Sequence, residues 1–298
     1  MNYIELLDKQ PDLVTPGTSA CQGCPAELSL RSTLKVLGEN TIMCIPPGCM
    51  AGAGCVGWNF DSGLKVPVHI TLLDNTAAVL TGIKKSYEAD GRDVTVASFA
   101  GDGATSDCGF QSLSAAAERG ENVIYICYDN EGYMNTGFQR SGSTTKGSMT
   151  TTTPVGEVGK GKEQQKKDLP LIMAMHNPAY LATLSPSHMS DFVKKVEKAK
   201  SIKDGFVYLH IFSPCPTGWG FDGAKSIEVA RKAVETNLFP LYEIDHGEYK
   251  FTVQNKNPKP VSELFGMMKK FRHVSEQGIQ EVQNYVDKKY KILQSLVG

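Results

Sequence analysis

The stretch "VTVASFAGDGATSDCGFQSLSAAAERGENVIYICYDNEGYMNTG", residues 94–137, decides the fold. Its first apolar run, 94–99, reads as a buried strand and ends at Gly101-Asp102-Gly103. A helical pattern beginning near Asp107 follows, and then a second apolar run, 123–128, ends at Asp129-Asn130-Glu131-Gly132. Strand, glycine turn, helix and strand in that order make one βαβ unit. Glycines let the backbone approach a phosphate, and a helix N-terminus offers free N–H groups and the positive end of a dipole. An aspartate between those glycines would repel a phosphate unless a hard divalent cation bridged the two. The side-chain oxygen of Asn130, 28 positions after Asp102, and the Gly132 carbonyl would complete the protein's half of an octahedral Mg²⁺ shell. Asn135 and Thr136 follow at once, placed to face a cofactor ring or a substrate; a plain polar loop is the alternative.

Outward from this unit the alternation continues. Strands are predicted at 41–46, 68–73, 180–184 and 206–212, and helices near 26–37, 75–88, 187–200 and 224–237. The strand candidates are almost continuously apolar, as strands covered on both faces should be. The pattern predicts an α/β fold with a doubly wound, mostly parallel sheet, whose ligands gather at the carboxyl ends of the strands. Residues 138–167 form a long polar loop without periodicity, either a solvated surface loop or a functional one beside the candidate site. After 240 the pattern changes: 245–260 is polar and turn-rich, and 261–296 reads as one or two amphipathic helices. The predicted organisation is therefore a domain over 1–240 and a mostly helical C-terminal extension over 241–298.

With 298 residues, 41% hydrophobic and 21% charged, the chain can bury a large core. A net charge of −1 gives no basic field, which argues against nucleic acid or an acidic membrane surface as a partner. No apolar run approaches a membrane span, and the first residues lack a basic and apolar leader pattern, so the expected compartment is the cytoplasm. None of the six histidines has metal-ligand spacing; His69 and His210, in strand patterns, read as structural. Arg140 reads as an anion contact or an exposed loop residue, and the lysines of "KGKEQQKK", 160–167, as a solvated run.

Eight cysteines in a reducing compartment are expected to stay free of disulfides. Cys108 and Cys127 lie in apolar patterns and read as small buried hydrophobes. "CQGC", 21–24, is half of a zinc site, a redox pair, or half the ligands of an iron–sulfur cluster. Taken together, "CQGC", "PPGCM" (46–50), the Gly-Asp-Gly motif, "YDNEGYMNTGFQRSG" (128–142) and "SPCPTGW" (213–219) resemble the β subunit of 2-oxoacid:ferredoxin oxidoreductases, the family of pyruvate:ferredoxin oxidoreductase. The likeness runs from about residue 15 to 240, and Asp102 with Asn130 matches the diphosphate motif of thiamin diphosphate enzymes.

The resemblance implies thiamin diphosphate, Mg²⁺ and a [4Fe–4S] cluster as cofactors. Gly101, Asp102, Gly103, Asn130, Gly132, Asn135 and Thr136 fall on the thiamin diphosphate and Mg²⁺ positions, with Asn135 as the catalytic candidate. Cys21, Cys24, Cys49 and Cys215 fall on the cluster positions, Cys49 also bordering the thiamin cofactor; Cys44 and Cys55 compete for the third ligand, and structural zinc is the alternative occupant. The implied activity is oxidative decarboxylation of a 2-oxoacid, with electrons leaving singly through the cluster to ferredoxin and coenzyme A taking the acyl group. Pyruvate leads by family frequency; the glycine- and alanine-rich "GCMAGAGCVGWNF" (48–60) departs from the pyruvate type and points to a reshaped pocket for oxalate, an aryl or a branched 2-oxoacid. The glutamate that activates the aminopyrimidine comes, in the family, from a separate domain, so an α-type partner is implied, together with γ/δ-type subunits. The runner-up is a non-oxidative thiamin-dependent decarboxylase subunit with zinc or free thiols; a third reading is a non-catalytic electron-transfer or scaffold subunit.

Overall fold

Each of the six apolar runs becomes a strand of one sheet. The computed structural model describes residues 3–54 and 63–297. Its strands are β1 (Thr41–Ile45), β2 (Val68–Ile70), β3 (Thr95–Ser98), β4 (Ala100–Gly101), β5 (Ile124–Asp129), β6 (Tyr180–Leu184), β7 (Val207–Phe212), β8 (Leu241–Asp245) and β9 (Glu248–Val253). The helices are α1 (Tyr3–Lys9), α2 (Pro25–Leu37), α3 (Thr76–Ala89), α4 (Phe110–Glu118), α5 (Leu169–Ala174), α6 (Met189–Ser201), α7 (Pro216–Trp219), α8 (Ser226–Glu235), α9 (Val261–Phe265) and α10 (Glu276–Val297). The sheet order is β2-β1-β3-β5-β7-β6-β8-β9, with the short β4 beside β5. The pairs from β2 to β6 are parallel; β6–β8 and β8–β9 are antiparallel.

The strand period of two explains both core layers. Ile124, Ile126 and Tyr128 of β5 face a layer that holds Leu30 and Leu34 of α2 and Phe192 and Val196 of α6. Tyr125 and Cys127 face the opposite layer with Leu80, Leu113 and Met173 of α3, α4 and α5. Helices on both faces are what the doubly wound reading requires. A third cluster, including Phe212, Trp219, Val229, Phe265 and Val282, packs the C-terminal helices against the end of β7.

Three local elements differ from the sequence expectation. The predicted strand 68–73 ends at Ile70. The predicted helix 107–119 is a wide turn, Ala104–Cys108, followed by α4. Residues 248–253, expected to be turn-rich and polar, form the edge strand β9; only alternate residues, among them Tyr249 and Phe251, pack on the core, so its hydrophobic signal is half that of a central strand. The sheet therefore runs across residue 240, and the helical part of the tail is α9 and α10.

Candidate active site

The carboxyl ends of β1, β4, β5 and β7 converge on one edge of the sheet, and the turns that follow them carry the sequence-predicted residues. Asp102 is fully buried and Asn130 is 6% exposed. Asp102 Oδ1 accepts the Asn130 N–H at 3.3 Å, and Oδ2 accepts the Ser141 hydroxyl at 2.5 Å. The end of the Asn130 carboxamide lies 2.8 Å from the Gly132 carbonyl oxygen and 3.0 Å from Asp102 Oδ1. With its nitrogen there it donates to both; turned over, it brings a third oxygen to the same point. Three oxygen donors converging in a buried spot suit a hard divalent cation. Burial, reinforced by the neighbouring Asp129 carboxylate, holds the Asp102 carboxyl well above the usual carboxylate range, a cost that a bound cation would offset. At Gly103 a Cβ would sit 2.5 Å from the Tyr133 ring, so only glycine lets the backbone line the floor of this turn.

Between Asn130 and Gly132 stands Glu131, 1% exposed and in a left-handed conformation (φ 62°). Such backbone costs on the order of 1–3 kcal/mol and persists only where its surroundings impose it. Here the Thr144 hydroxyl donates to the Glu131 carbonyl at 2.7 Å, and Thr145 donates to its carboxylate at 2.6 Å. Lys166 and Lys270 donate to the same carboxylate at 3.0 and 2.6 Å. Burial would push the Glu131 carboxyl up, but the two ammonium groups outweigh it and hold it below the usual range. Asp129 is tied to His210 at 3.0 Å, and His210 to Tyr208 at 2.9 Å, so His210 is structural, as expected.

The first part of the 138–167 loop is not solvated, although most of 151–167 remains exposed. Ser141, Ser143, Thr144, Thr145, Ser148 and Lys162 are buried over the metal turn, and the chain folds back so that Lys162 donates to the Gly142 and Thr144 carbonyls. The lysine run is corrected in the same way: Lys162 is buried, Lys166 reaches Glu131, and Lys167 pairs with Asp107 at 2.9 Å. Arg140 and His69 are exposed. Cys108 is also exposed, its sulfur 3.3 Å from the Tyr133 hydroxyl, while Cys127 is buried as expected.

The thiols fall into place around a second cavity of about 110 Å³, lined by Cys21, Cys24, Cys49 and Cys215. Cys24 caps α2, whose first position is Pro25, a residue with no N–H to leave unpaired there. Cys215 caps α7, and its sulfur accepts the Gly218 N–H at 3.3 Å. Burial pushes the Cys24 thiol up to about 11 and the Cys49 thiol up to about 12. Cys44 is buried in the opposite core layer, away from this cavity, and Cys55 lies outside the described residues. The turn between Cys21 and Cys24 is pressed against the chain beyond α7: Gly23 has φ 70°, and a Cβ there would lie 2.3 Å from the Gly223 carbonyl oxygen. Replacing Gly23 by Ala is expected to push the first two thiols away from Cys215 and lower the metal content of the purified protein several-fold, as read by elemental analysis.

The glycine turns after β1 and β4 border a cavity of about 140 Å³, lined by Gly48, Gly101, Gly103, Tyr128, Asn135 and Thr136 among others, where the sequence reading expects the diphosphate. Cys49, Asn130 and Asn135 line both cavities. Asn135 and Thr136 are exposed, and the Thr136 hydroxyl is bonded to the Gln139 side chain.

Residues 52–211 match the model of the thiamine pyrophosphate enzyme, C-terminal TPP binding domain family. The chain is 46% identical over 281 residues to the pyruvate synthase subunit PorB of Methanothermobacter thermautotrophicus, covering 93% of this chain and 96% of that one. The chain belongs to the thiamin-diphosphate-binding β subunits of the 2-oxoacid:ferredoxin oxidoreductases. Within this family it is also 48% identical, over 96% of its length, to the β subunit of the NADH-dependent phenylglyoxylate dehydrogenase of Aromatoleum evansii, and it spans 64% of that relative's own length. Identity to the ketoisovalerate oxidoreductase subunit VorB of Pyrococcus furiosus is 40%, over 94% of this chain and 92% of the relative. The fold is shared with the 2-oxoglutarate:ferredoxin oxidoreductase of Magnetococcus marinus at a TM-score of 0.58 and 20% identity, covering 78% of this chain and 81% of that one. No helix among the described residues is long and apolar enough to cross a membrane.

Proposed function

We propose that this β subunit binds thiamin diphosphate through Mg²⁺ and holds a [4Fe–4S] cluster beside it, serving the oxidative decarboxylation of a 2-oxoacid with ferredoxin as electron acceptor and coenzyme A as acyl acceptor. The observation that carries this reading is the shared wall: Cys49, Asn130 and Asn135 border both the diphosphate cavity and the thiol cavity. A cofactor that releases electrons and a cluster that accepts them would be separated there by single side chains.

The residues present fit both groups. Asp102, Asn130 and Gly132 would hold Mg²⁺, and the Gly101–Gly103 backbone would lie against the diphosphate. Cys21, Cys24, Cys49 and Cys215 line one cavity, and among the described residues no three cysteine, histidine or acidic side chains gather as a single metal ion needs. One zinc would draw four sulfurs to about 2.3 Å from a common point. A cubane instead spreads four thiolates over four irons, and the wall that the thiol cavity shares with the diphosphate cavity favours such an electron acceptor over structural zinc. Bound thiamin diphosphate supplies the nucleophilic carbon and the electron sink that loss of CO₂ from a 2-oxoacid requires. The chain's own part is to orient and to exclude water: Tyr128, Tyr133 and Leu73 wall the cavity, and Asn135 presents its carboxamide at the boundary where substrate would meet cofactor.

Among the described residues that line this cavity none is acidic, which supports an α-type partner as the source of the activating glutamate, within a complex that includes γ/δ-type subunits. The relatives at comparable identity are named for pyruvate, phenylglyoxylate and ketoisovalerate, so the substrate class proposed is the 2-oxoacids, with pyruvate tested first. The test is low-temperature EPR of the anaerobically purified complex. Addition of a 2-oxoacid with coenzyme A is expected to produce a reduced [4Fe–4S] signal that requires thiamin diphosphate. A silent spectrum after dithionite, with zinc in place of iron, would overturn the reading in favour of a non-oxidative decarboxylase subunit.

A further inference from the structure

The indole of Trp219 stands between the Cys215 turn and the Asn130–Glu131 turn, each of which borders a cavity. Trp219 ends α7, a single turn capped by Cys215, and its backbone N–H donates to the Cys215 carbonyl at 2.9 Å. Thiol and indole thus belong to one short, tightly closed turn. The indole is 1% exposed, and its Nε1–H donates to the carbonyl oxygen of Asn130 at 2.9 Å, behind the candidate metal turn. Over its face, 3.3 Å from the ring centre, lies the ammonium of Lys270, which also donates to Glu131 at 2.6 Å and lies 4.9 Å from the centre of the Phe271 ring. Trp219 and Lys270 therefore grip Asn130 and Glu131, two consecutive residues of a strained turn, from the side of the Cys215 turn.

We propose that Trp219, seated by Lys270, is a positioning residue that couples the thiol cavity to the diphosphate–metal turn, so that filling either site strengthens the other. The inference rests on the cluster reading given above. With Cys215 drawn to a cluster, α7 and its indole are fixed, and the Asn130 carbonyl keeps a buried donor. Without it, the Cys215 end of α7 loses its tie to the thiol cavity while the indole keeps its packing, and Asn130 and Glu131 must be ordered further when thiamin diphosphate binds. Prepaying that ordering is positive cooperativity, and linkage makes it reciprocal.

The test is calorimetric titration of the purified complex with thiamin diphosphate and Mg²⁺, before and after removal of iron with ferricyanide and a chelator. In the wild type, iron removal is expected to weaken thiamin diphosphate binding about tenfold, within the ordinary range of site–site coupling. Trp219→Phe keeps a ring beneath Lys270 but deletes the donor; its affinity should be lower and nearly the same with and without iron. Lys270→Met keeps the indole and its N–H, and should reduce the ratio in part. A merely structural role for Trp219 would shift both affinities and leave their ratio unchanged, and a melting profile of each variant checks its folding. Equal affinities in iron-loaded and iron-free wild type, or a wild-type ratio in the Trp219→Phe variant, would overturn the inference alone. Absence of iron from the wild-type complex would overturn it together with the cluster reading.

Discussion

Replacing Asp102 by Ala is expected to reduce thiamin diphosphate affinity by at least about 100-fold, because even outer partners of a metal site cost 10–100-fold when removed. Asp102 is the one charged group among the three oxygen donors, and it is fully buried. Without it, Asn130 and Gly132 offer only neutral oxygens, too weak a pair to neutralise the diphosphate through a cation. The thiols lie in the adjoining cavity and do not contact Asp102 through any hydrogen bond described above, so the iron content should stay near that of the wild type. The pair of measurements is cofactor content after dialysis and iron per chain. Retained cofactor would show that the Gly101–Gly103 turn is not the diphosphate site.

Glu131→Gln should cost about 3–5 kcal/mol of stability, the range for breaking a buried ion pair from one side. The change leaves the Lys270 ammonium, on a side chain 1% exposed, without its carboxylate, and leaves Lys166 with only the more distant Asp129 at 3.7 Å. For a chain of this length that is a fall in melting temperature on the order of 10 °C. Removing the stranded charge as well, in Glu131→Gln/Lys270→Met, should recover part of the loss. A melting temperature for Glu131→Gln within about 2 °C of the wild type, a shift of about 1 kcal/mol, would show that these charges are better hydrated than their burial indicates.

Local patterns made part of this site legible. The Gly101–Gly103 turn and the Asn130 position sit where apolar runs break off, so pattern located them, whereas the Cys21–Cys24 pair stood out by its CxxC spacing and its role came from the family resemblance. The members that pattern could not reveal are those recruited across the fold. Ser141 meets Asp102 39 residues away, Trp219 meets Asn130 89 residues away, and Lys270 meets Glu131 139 residues away. Ser141 and Trp219 lie within the quoted stretches 128–142 and 213–219, but neither pattern indicates the partner, and Lys270, in an amphipathic tail, looks solvent-facing until the sheet brings it to a buried carboxylate. Within 160–167 the same holds for Lys162, Lys166 and Lys167, which bind specific carbonyls and carboxylates although charge runs are normally hydrated; Lys160 is exposed. Edge strand β9 escaped for want of a second buried face.

The contact between Gly23 and Gly223 joins points 200 residues apart in the chain. On a ribosome the N-terminal pair of thiols emerges early and waits, without its partner, while the whole central sheet is made. Any metal centre that needs Cys215 can close only after β7 has paired and α7 has turned, so its assembly belongs to the last stage of folding. A chain truncated or stalled before that point would have most of its strands and none of the geometry that joins Cys21 and Cys24 to Cys215. Loading at this position would therefore act as a check on completed synthesis, set by chain order rather than by any dedicated element.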